Sequence, residues 1–348
     1  MKVTPKQLHS LVTNIFTTMG MEQKDAASVA SLLVDAEQRG MQSHGVQRVG
    51  QYLNNCAKGG AKLHPKMKIL KETETTAVVD ADYALGAVSS EYATDIAREK
   101  AKKYGIGYVV VKNCSHFGMG AHWTLKMAQD DMIGITGSTV SPSMAAPGGI
   151  TPVVGNNPFG IAVNAGKYKA IAIDQATSVS AMGKAVALMK QGKPIPMGWF
   201  RDGNGEFTND LTKVASMEPM AAHKGYGIAF GIEILSGMLA GGVLPQNMGS
   251  QIDPASSERA NQFFIAIDIA HFHDVAGFKA AIDEYIDWIK QSKRRDGIEK
   301  VMYPGEIEHD ITVCSERDGI ELPTQFAEEL IRISKDIGLN ESIYAFLM

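Results

Sequence analysis

The sequence is poor in cysteine: of 348 residues only three, Cys56, Cys114 and Cys314, carry a thiol. They are odd in number, widely spaced and form no Cys-x-x-Cys pair. That excludes a disulfide scaffold, a Cys-rich zinc site and a thioredoxin-like redox pair, and fits a reducing, cytoplasmic setting. An excess of charge of one sign is also missing. The formal net charge is -4, from 34 basic and 38 acidic side chains spread along the chain, so no footprint for nucleic acid or an anionic membrane exists. Small molecules are the expected partners. Long apolar runs are absent too: the best candidate span, residues 227–244, carries Glu233 and five glycines and reads as a buried or subunit-packing helix. Met1-Lys-Val-Thr-Pro5 runs straight into an amphipathic pattern with no signal-type apolar core. No repeat, low-complexity tract or Pro/Ser-rich linker interrupts the chain.

What is present is enough chain for two domains or one enzyme-sized unit, with 45% hydrophobic residues to fill a core. Thr4 and Pro5 open a helix carrying Leu8, Leu11, Val12, Ile15 and Met19 at helical spacing, ended by Gly20. A second helix runs from about Lys24 to Gly40, and a third pattern uses Val46, Val49, Tyr52 and Leu53. From residue 76 short β-rich runs alternate with helices. Strands are expected at 77–79, 106–111, 132–136, 159–163, 170–173 and 263–267. Helices are expected at 89–104, 121–129, 180–190, 224–239, 278–293 and 323–337, with a hairpin turn at 201–206. The class is α/β (α+β). On composition, residues 1–70 with 294–348 form a mostly helical subdomain, and 71–293 a central sheet domain.

Five segments carry chemistry. In Ser43-His44-Gly45-Val46-Gln47-Arg48, a helix starting near Gly45 would set free amides beside His44 and let Arg48 fork a carboxylate; the plainer reading is a Ser43 cap and a solvated arginine. His116, on the loop after an apolar strand, suits a general base or is a hydrogen-bonded loop histidine. The glycine- and proline-rich loop from Ser138 to Pro158 reads as a shaped ligand wall or a connector. Asp174 could orient a base or hold a ribose hydroxyl, with Thr177 or Ser178 capping a helix; simple capping competes. Lys224 could meet a phosphate or carboxylate, or be a surface lysine beside a packing motif. Gly-x-Gly-x-x-Gly, a Walker A loop, Gly-x-Ser-x-Gly and His-Glu-x-x-His are all lacking, and no convincing metal ligand set is present.

Taken in order, Gly40-Met-Gln-Ser-His-Gly-Val-Gln-Arg48, Ser115-His-Phe-Gly118, Gly155-Asn-Asn-Pro158, Asp174-Gln-Ala-Thr-Ser178, Pro196-Met-Gly-Trp199, Lys224-Gly-Tyr-Gly227 and Tyr303-Pro-Gly-Glu306 resemble the non-Rossmann malate/L-lactate dehydrogenase family. That family also includes ureidoglycolate, sulfolactate and diketogulonate oxidoreductases. The resemblance implies a family-specific NAD-binding fold, with a central mixed, largely antiparallel sheet and a helical subdomain built from both termini. It further implies a homodimer, a small 2-hydroxy or 2-oxo acid as substrate, and NAD, or alternatively NADP, as cofactor. By position, His116 resembles the acid/base, Arg48 the carboxylate clamp, and Ser43 and His44 substrate-pocket hydrogen-bonders. Asp174, Gln175, Ala176, Lys224, Pro304, Gly305 and Glu306 resemble cofactor contacts, joined by Ser138 and Val140. Gln175 stands where methionine is usual, Asn156 where threonine is frequent, and Phe200 and His223 where small residues are common. These departures bear on cofactor and substrate choice. Ureidoglycolate dehydrogenase-type activity is the alternative within the family; a non-catalytic organic-acid-binding protein and a metal-dependent hydrolase are the alternatives outside it.

Overall fold

Local signals account for many element ends. After strand β1 (Lys2–Val3), Thr4 caps helix α1 (Pro5–Thr18) through a capping box with Gln7. Helix α2 (Gln23–Gln38) follows, and Gly20 and Gly40 take the left-handed backbone, φ 98° and 74°, that ends each helix. The third helix starts at Gly45 as expected, but its first turn is 3-10. Two 3-10 turns, Gln42–His44 and Val46–Arg48, come first, and α3 is Val49–Lys58. A buried carboxylate caps this start: Glu37 accepts the Val46 amide at 2.8 Å, while the Gly45 amide bonds the Gln42 carbonyl. The Gly45 and Val46 amides, foreseen as free beside His44, are therefore already used.

The computed structural model describes residues 1–190, 192–249, 253 and 255–348. The middle of the chain runs β2 (Lys68–Glu72), β3 (Thr76–Ala84), α4 (Gly86–Tyr104), β4 (Ile106–Cys114), α5 (Gly120–Ala128), β5 (Met132–Ser138), β6 (Met144–Ala145), β7 (Pro152–Val154), β8 (Phe159–Val163) and β9 (Ile171–Gln175). Then come α6 (Met182–Lys190), the hairpin β10 (Phe200–Asp202) and β11 (Phe207–Thr208), β12 (Val214–Met217), α7 (His223–Glu233) with a π-helical turn Ile234–Met238, and β13 (Ala260–Asp268). Helices α8 (Val275–Gln291) and α9 (Glu306–Asp318), β14 (Ile320–Glu321), α10 (Thr324–Asp336) and α11 (Glu341–Tyr344) close the chain. Helix α4 starts three residues before its expected Ser89, because the Ser115 hydroxyl accepts the Gly86 amide and supplies a cap from another loop.

Seven strands form the main sheet in the order β2-β3-β4-β13-β5-β8-β9. Only β3 and β4 are parallel neighbours; the other pairs are antiparallel, the mixed, largely antiparallel sheet foreseen. The register Ala260↔Cys114, Gln262↔Ser138, Gly137↔Phe159 and Phe159↔Gln175 aligns the last residues of β4, β5 and β9 with the first of β8 and β13. One end of the sheet thus gathers the loops that carry His116, Ser138, Val140, Asn157 and Asp174. A smaller sheet, β11-β10-β12-β6-β7, has its own core of Met144, Val154, Phe200 and Met217.

The largest core joins Leu11, Phe16 and Leu32 of the first helices and Leu330 of α10 to Val79, Val109 and Phe264 of the sheet. Both ends of the chain pack together: the Ser315 hydroxyl donates to the Gln38 carbonyl, and β1 pairs with β14. Among the described residues no helix is long and apolar enough to cross a membrane. The apolar 227–244 run is not buried throughout, since Ile228, Phe230 and Ile234 are 43–45% exposed.

Candidate active site

The backbone around His116 is clamped on three sides. Ser115 caps α4, its carbonyl accepts the Gln262 side-chain amide at 3.1 Å, and the Phe117 carbonyl accepts the indole N–H of fully buried Trp123 at 2.8 Å. Gly86 makes this possible: a Cβ there would stand 2.1 Å from the His116 carbonyl oxygen, so only glycine allows so close an approach. Truncating a buried indole such as Trp123 to alanine costs about 3–5 kcal/mol, and here it would also release the loop.

The His116 ring meets side chains from the N-terminal helices. Tyr52, one turn beyond Arg48 on α3, places its hydroxyl 2.9 Å from His116 Nδ1. The His44 ring stacks on His116 with centroids 5.4 Å apart and planes 22° from parallel. Ser43 Oγ lies 2.9 Å from His44 Nδ1, while Arg48 donates from Nε to the Ser43 carbonyl at 2.8 Å and from Nη1 to Gln51 at 2.7 Å. Ser43, His44, Arg48 and His116 are therefore one cluster.

Burial, then the charge of Arg48, holds His44 down to about 4. Burial, Arg48 and His44 together hold His116 well below the ordinary imidazole value. Both rings are neutral at neutral pH. Burial pushes Tyr52 up to about 12, so it remains a phenol. When Tyr52 accepts from Nδ1–H, His116 Nε2 keeps its lone pair and can take a proton.

The candidate cofactor residues are built differently. Asp174 accepts the Ala121 amide at 2.8 Å and also the Gly120 amide, capping α5, the helix after the His116 loop. Burial nevertheless pushes its carboxyl up to about 6. Gln175 is exposed and Ala176 half-buried at the end of β9. Neither Thr177 nor Ser178 provides the foreseen helix cap: Ser178 Oγ donates to the Ser180 carbonyl, and Thr177 Oγ1 is buried without a partner among the described residues.

The Thr177 carbonyl accepts the Met220 amide at 2.9 Å, drawing up the segment that leads to exposed Lys224. On the strand's open edge the Pro304 carbonyl accepts the Ala172 amide at 3.1 Å. Gly305, at φ 89°, lies so close that a Cβ would be 2.8 Å from that nitrogen. Glu306 is spent on an ion pair with Lys290 at 2.7 Å, which keeps it ionised despite burial. Ser138 is buried at the end of β5. The Val140 amide donates to fully buried Asn157, whose side chain donates in turn to Glu233 on α7 at 2.8 Å.

Residues 3–331 match the family model described as malate/L-lactate dehydrogenase. The chain belongs to the malate/L-lactate dehydrogenase family. It is 34% identical to malate dehydrogenase of Pyrococcus abyssi over 97% of this chain and 96% of that one. It is 29% identical to ureidoglycolate dehydrogenase (NAD(+)) of Escherichia coli, covering 95% of each chain. The solved sulfolactate dehydrogenase of Methanocaldococcus jannaschii superposes with a TM-score of 0.91 at 33% identity, covering 99% of this chain and 100% of that chain.

Two neighbours of His116 in this family member escaped the motif reading. Tyr52 looked like core, although its position four residues after Arg48 puts both on one helical face. Glu258 had no local signal: it is buried just before β13, and the His116 backbone N–H donates to its carboxylate.

Proposed function

We propose that the chain is a nicotinamide-dependent dehydrogenase that interconverts a small 2-hydroxy acid and its 2-oxo acid. The observation that carries this reading is the neutral His116–Tyr52 pair beside Arg48 at the sheet end. Arg48 would hold the substrate carboxylate through its planar fork. His116 Nε2 would take the hydroxyl proton as the C2–H bond breaks, leaving a C2 carbonyl. Tyr52 would accept from Nδ1–H throughout and stabilise the imidazolium that forms. His44 and Ser43 would hydrogen-bond the rest of the substrate.

The residues present suit a nicotinamide cofactor. Lys224 offers an ammonium for phosphate, Gln175, Ala176 and the Pro304–Gly305 turn flank an open strand end, and Thr177 Oγ1 is a buried hydroxyl lacking a partner among the described residues. Ser138 and Val140 supply the facing loop, with Asp174 and Glu306 bracing the walls. When bound, such a cofactor accepts the hydride released from C2. NAD is preferred over NADP because the E. coli relative is named for NAD(+).

The proposal extends to assembly and organisation. The apolar residues left exposed on α7 and its π turn, among them Phe230, Ile234 and Met238, favour a homodimer. Residues 1–70 with 294–348 form one helical unit packed on 71–293, supported by the Ser315–Gln38 and β1–β14 links. Free thiols at Cys56, Cys114 and Cys314 favour a cytoplasmic setting. The deciding test is nicotinamide absorbance with pyruvate, oxaloacetate, glyoxylate and 2-oxoglutarate, using both cofactors. Turnover of at least one is expected. No turnover and no cofactor-induced thermal stabilisation would instead favour a binding protein.

A further inference from the structure

Glu258 is a buried carboxylate, 4% exposed, that neither the motifs nor the reaction scheme uses. It sits two residues before β13, and the pairing of Ala260 with Cys114 brings it under the His116 loop. The His116 backbone N–H donates to its carboxylate, and its Oε2 is buried with no hydrogen-bond partner among the described residues. The groups facing it are Arg48 from the turn before α3, Tyr52 from α3, Cys114 at the end of β4 and His116 itself. Burial keeps the phenol of Tyr52 and the thiol of Cys114 protonated, and His116 is neutral. Arg48 is thus the cation among them. Burial pushes Glu258 up to about 7, against the opposing pull of Arg48 and the His116 amide.

We propose that Glu258 is a positioning residue of the dehydrogenase: its carboxyl fixes the His116 backbone, and its negative charge competes with the substrate carboxylate for Arg48. This rests on Arg48 being the carboxylate clamp. Protonated Glu258 still accepts from the His116 N–H through its carbonyl oxygen and leaves Arg48 to the substrate. Ionised Glu258 pairs electrostatically with Arg48 and repels an incoming anion. Substrate capture therefore weakens as pH rises through about 7. By reciprocity, a bound carboxylate raises the affinity of Glu258 for its proton.

The test compares wild type, Glu258→Gln and Glu258→Leu from about pH 6 to about pH 8.5, on the fastest of pyruvate, oxaloacetate and glyoxylate, with folding checked by circular dichroism. In the wild type KM should rise about tenfold across this range. Glu258→Gln keeps an acceptor but no charge: kcat should fall about threefold and KM should stay flat. Glu258→Leu orphans the His116 amide, and kcat should fall about tenfold or more at every pH. Parallel KM profiles for wild type and Glu258→Gln would overturn the proposal alone, and that arm decides even if Glu258→Leu fails to fold. No turnover of any 2-oxo acid by the wild type would overturn the function and, with it, this proposal.

Discussion

The two halves of the candidate site are built from different materials. On the substrate side, His44, Arg48, Tyr52 and His116 are side chains that touch one another: a stack, a 2.9 Å hydrogen bond and a guanidinium tied to the Ser43 carbonyl. On the cofactor side the polar side chains, the buried Thr177 hydroxyl apart, are committed to structure or left in solvent. Asp174 caps α5, Glu306 pairs with Lys290, and Gln175 and Lys224 are exposed. There the backbone is what is shaped, by Gly305 against Ala172 and by Asn157 holding the Val140 amide. Chemistry at one carbon needs fixed side chains with set protonation states, whereas a large cofactor can be held by many weak contacts along a strand end.

This contrast sets an order of effects. The largest belongs to His116→Ala, which should lower kcat on the order of a thousandfold while leaving thermal stability nearly unchanged. Unchanged kcat would remove the acid/base from this half altogether. Next, Arg48→Ala should raise the KM for carboxylate substrates about a hundredfold, with a smaller change in kcat; equal losses with an uncharged carbonyl substrate would show that Arg48 is no carboxylate clamp.

Tyr52→Phe keeps the ring in the core but removes the acceptor, and kcat should fall about tenfold. The same pair sets the acid side of the pH profile. An imidazole whose pKa is depressed in the folded site stays a base at lower pH, so kcat for oxidation should hold its level from about pH 7 to about pH 6, where a free imidazole would be largely protonated. A decline centred near the ordinary histidine value would contradict the burial assigned to His116.

The smallest effects are expected across the strand end. Lys224→Ala should raise the cofactor KM about fivefold and Gln175→Ala less than about twofold, both read from cofactor titrations at saturating substrate. A Gln175→Ala loss as large as that of Arg48→Ala would break the contrast between side-chain and backbone recognition.

Much of this is legible in the sequence. Hydrophobic periodicity located α1, α2, β4 and β5 because they bury apolar faces in the largest core, whereas β2, exposed along its length, and α9, with no buried apolar residue, gave no such signal. The hairpin at 201–206 was written in its turn residues. The Ser43–Arg48 segment and His116 could be named from their motifs, and the fold brings them together.

Other features were hidden because their causes are distant. The cap on the helical turn that starts at Gly45 comes from Glu37, nine residues earlier, which takes the Val46 amide. The early start of α4 depends on Ser115, 29 residues later. Asp174 serves a helix other than the one it precedes, and Glu258 reaches His116 only through strand pairing. Periodicity reports local geometry, and none of these four contacts is local.

The most direct test of the central claim follows the hydrogen itself. Wild-type enzyme would be given a 2-oxo acid and reduced nicotinamide cofactor carrying deuterium at the transferable C4 position, and the product read by mass spectrometry and NMR. The account predicts a 2-hydroxy acid with one deuterium on C2 and none drawn from solvent. A product with ordinary hydrogen at C2, or no 2-hydroxy acid at all, would contradict it.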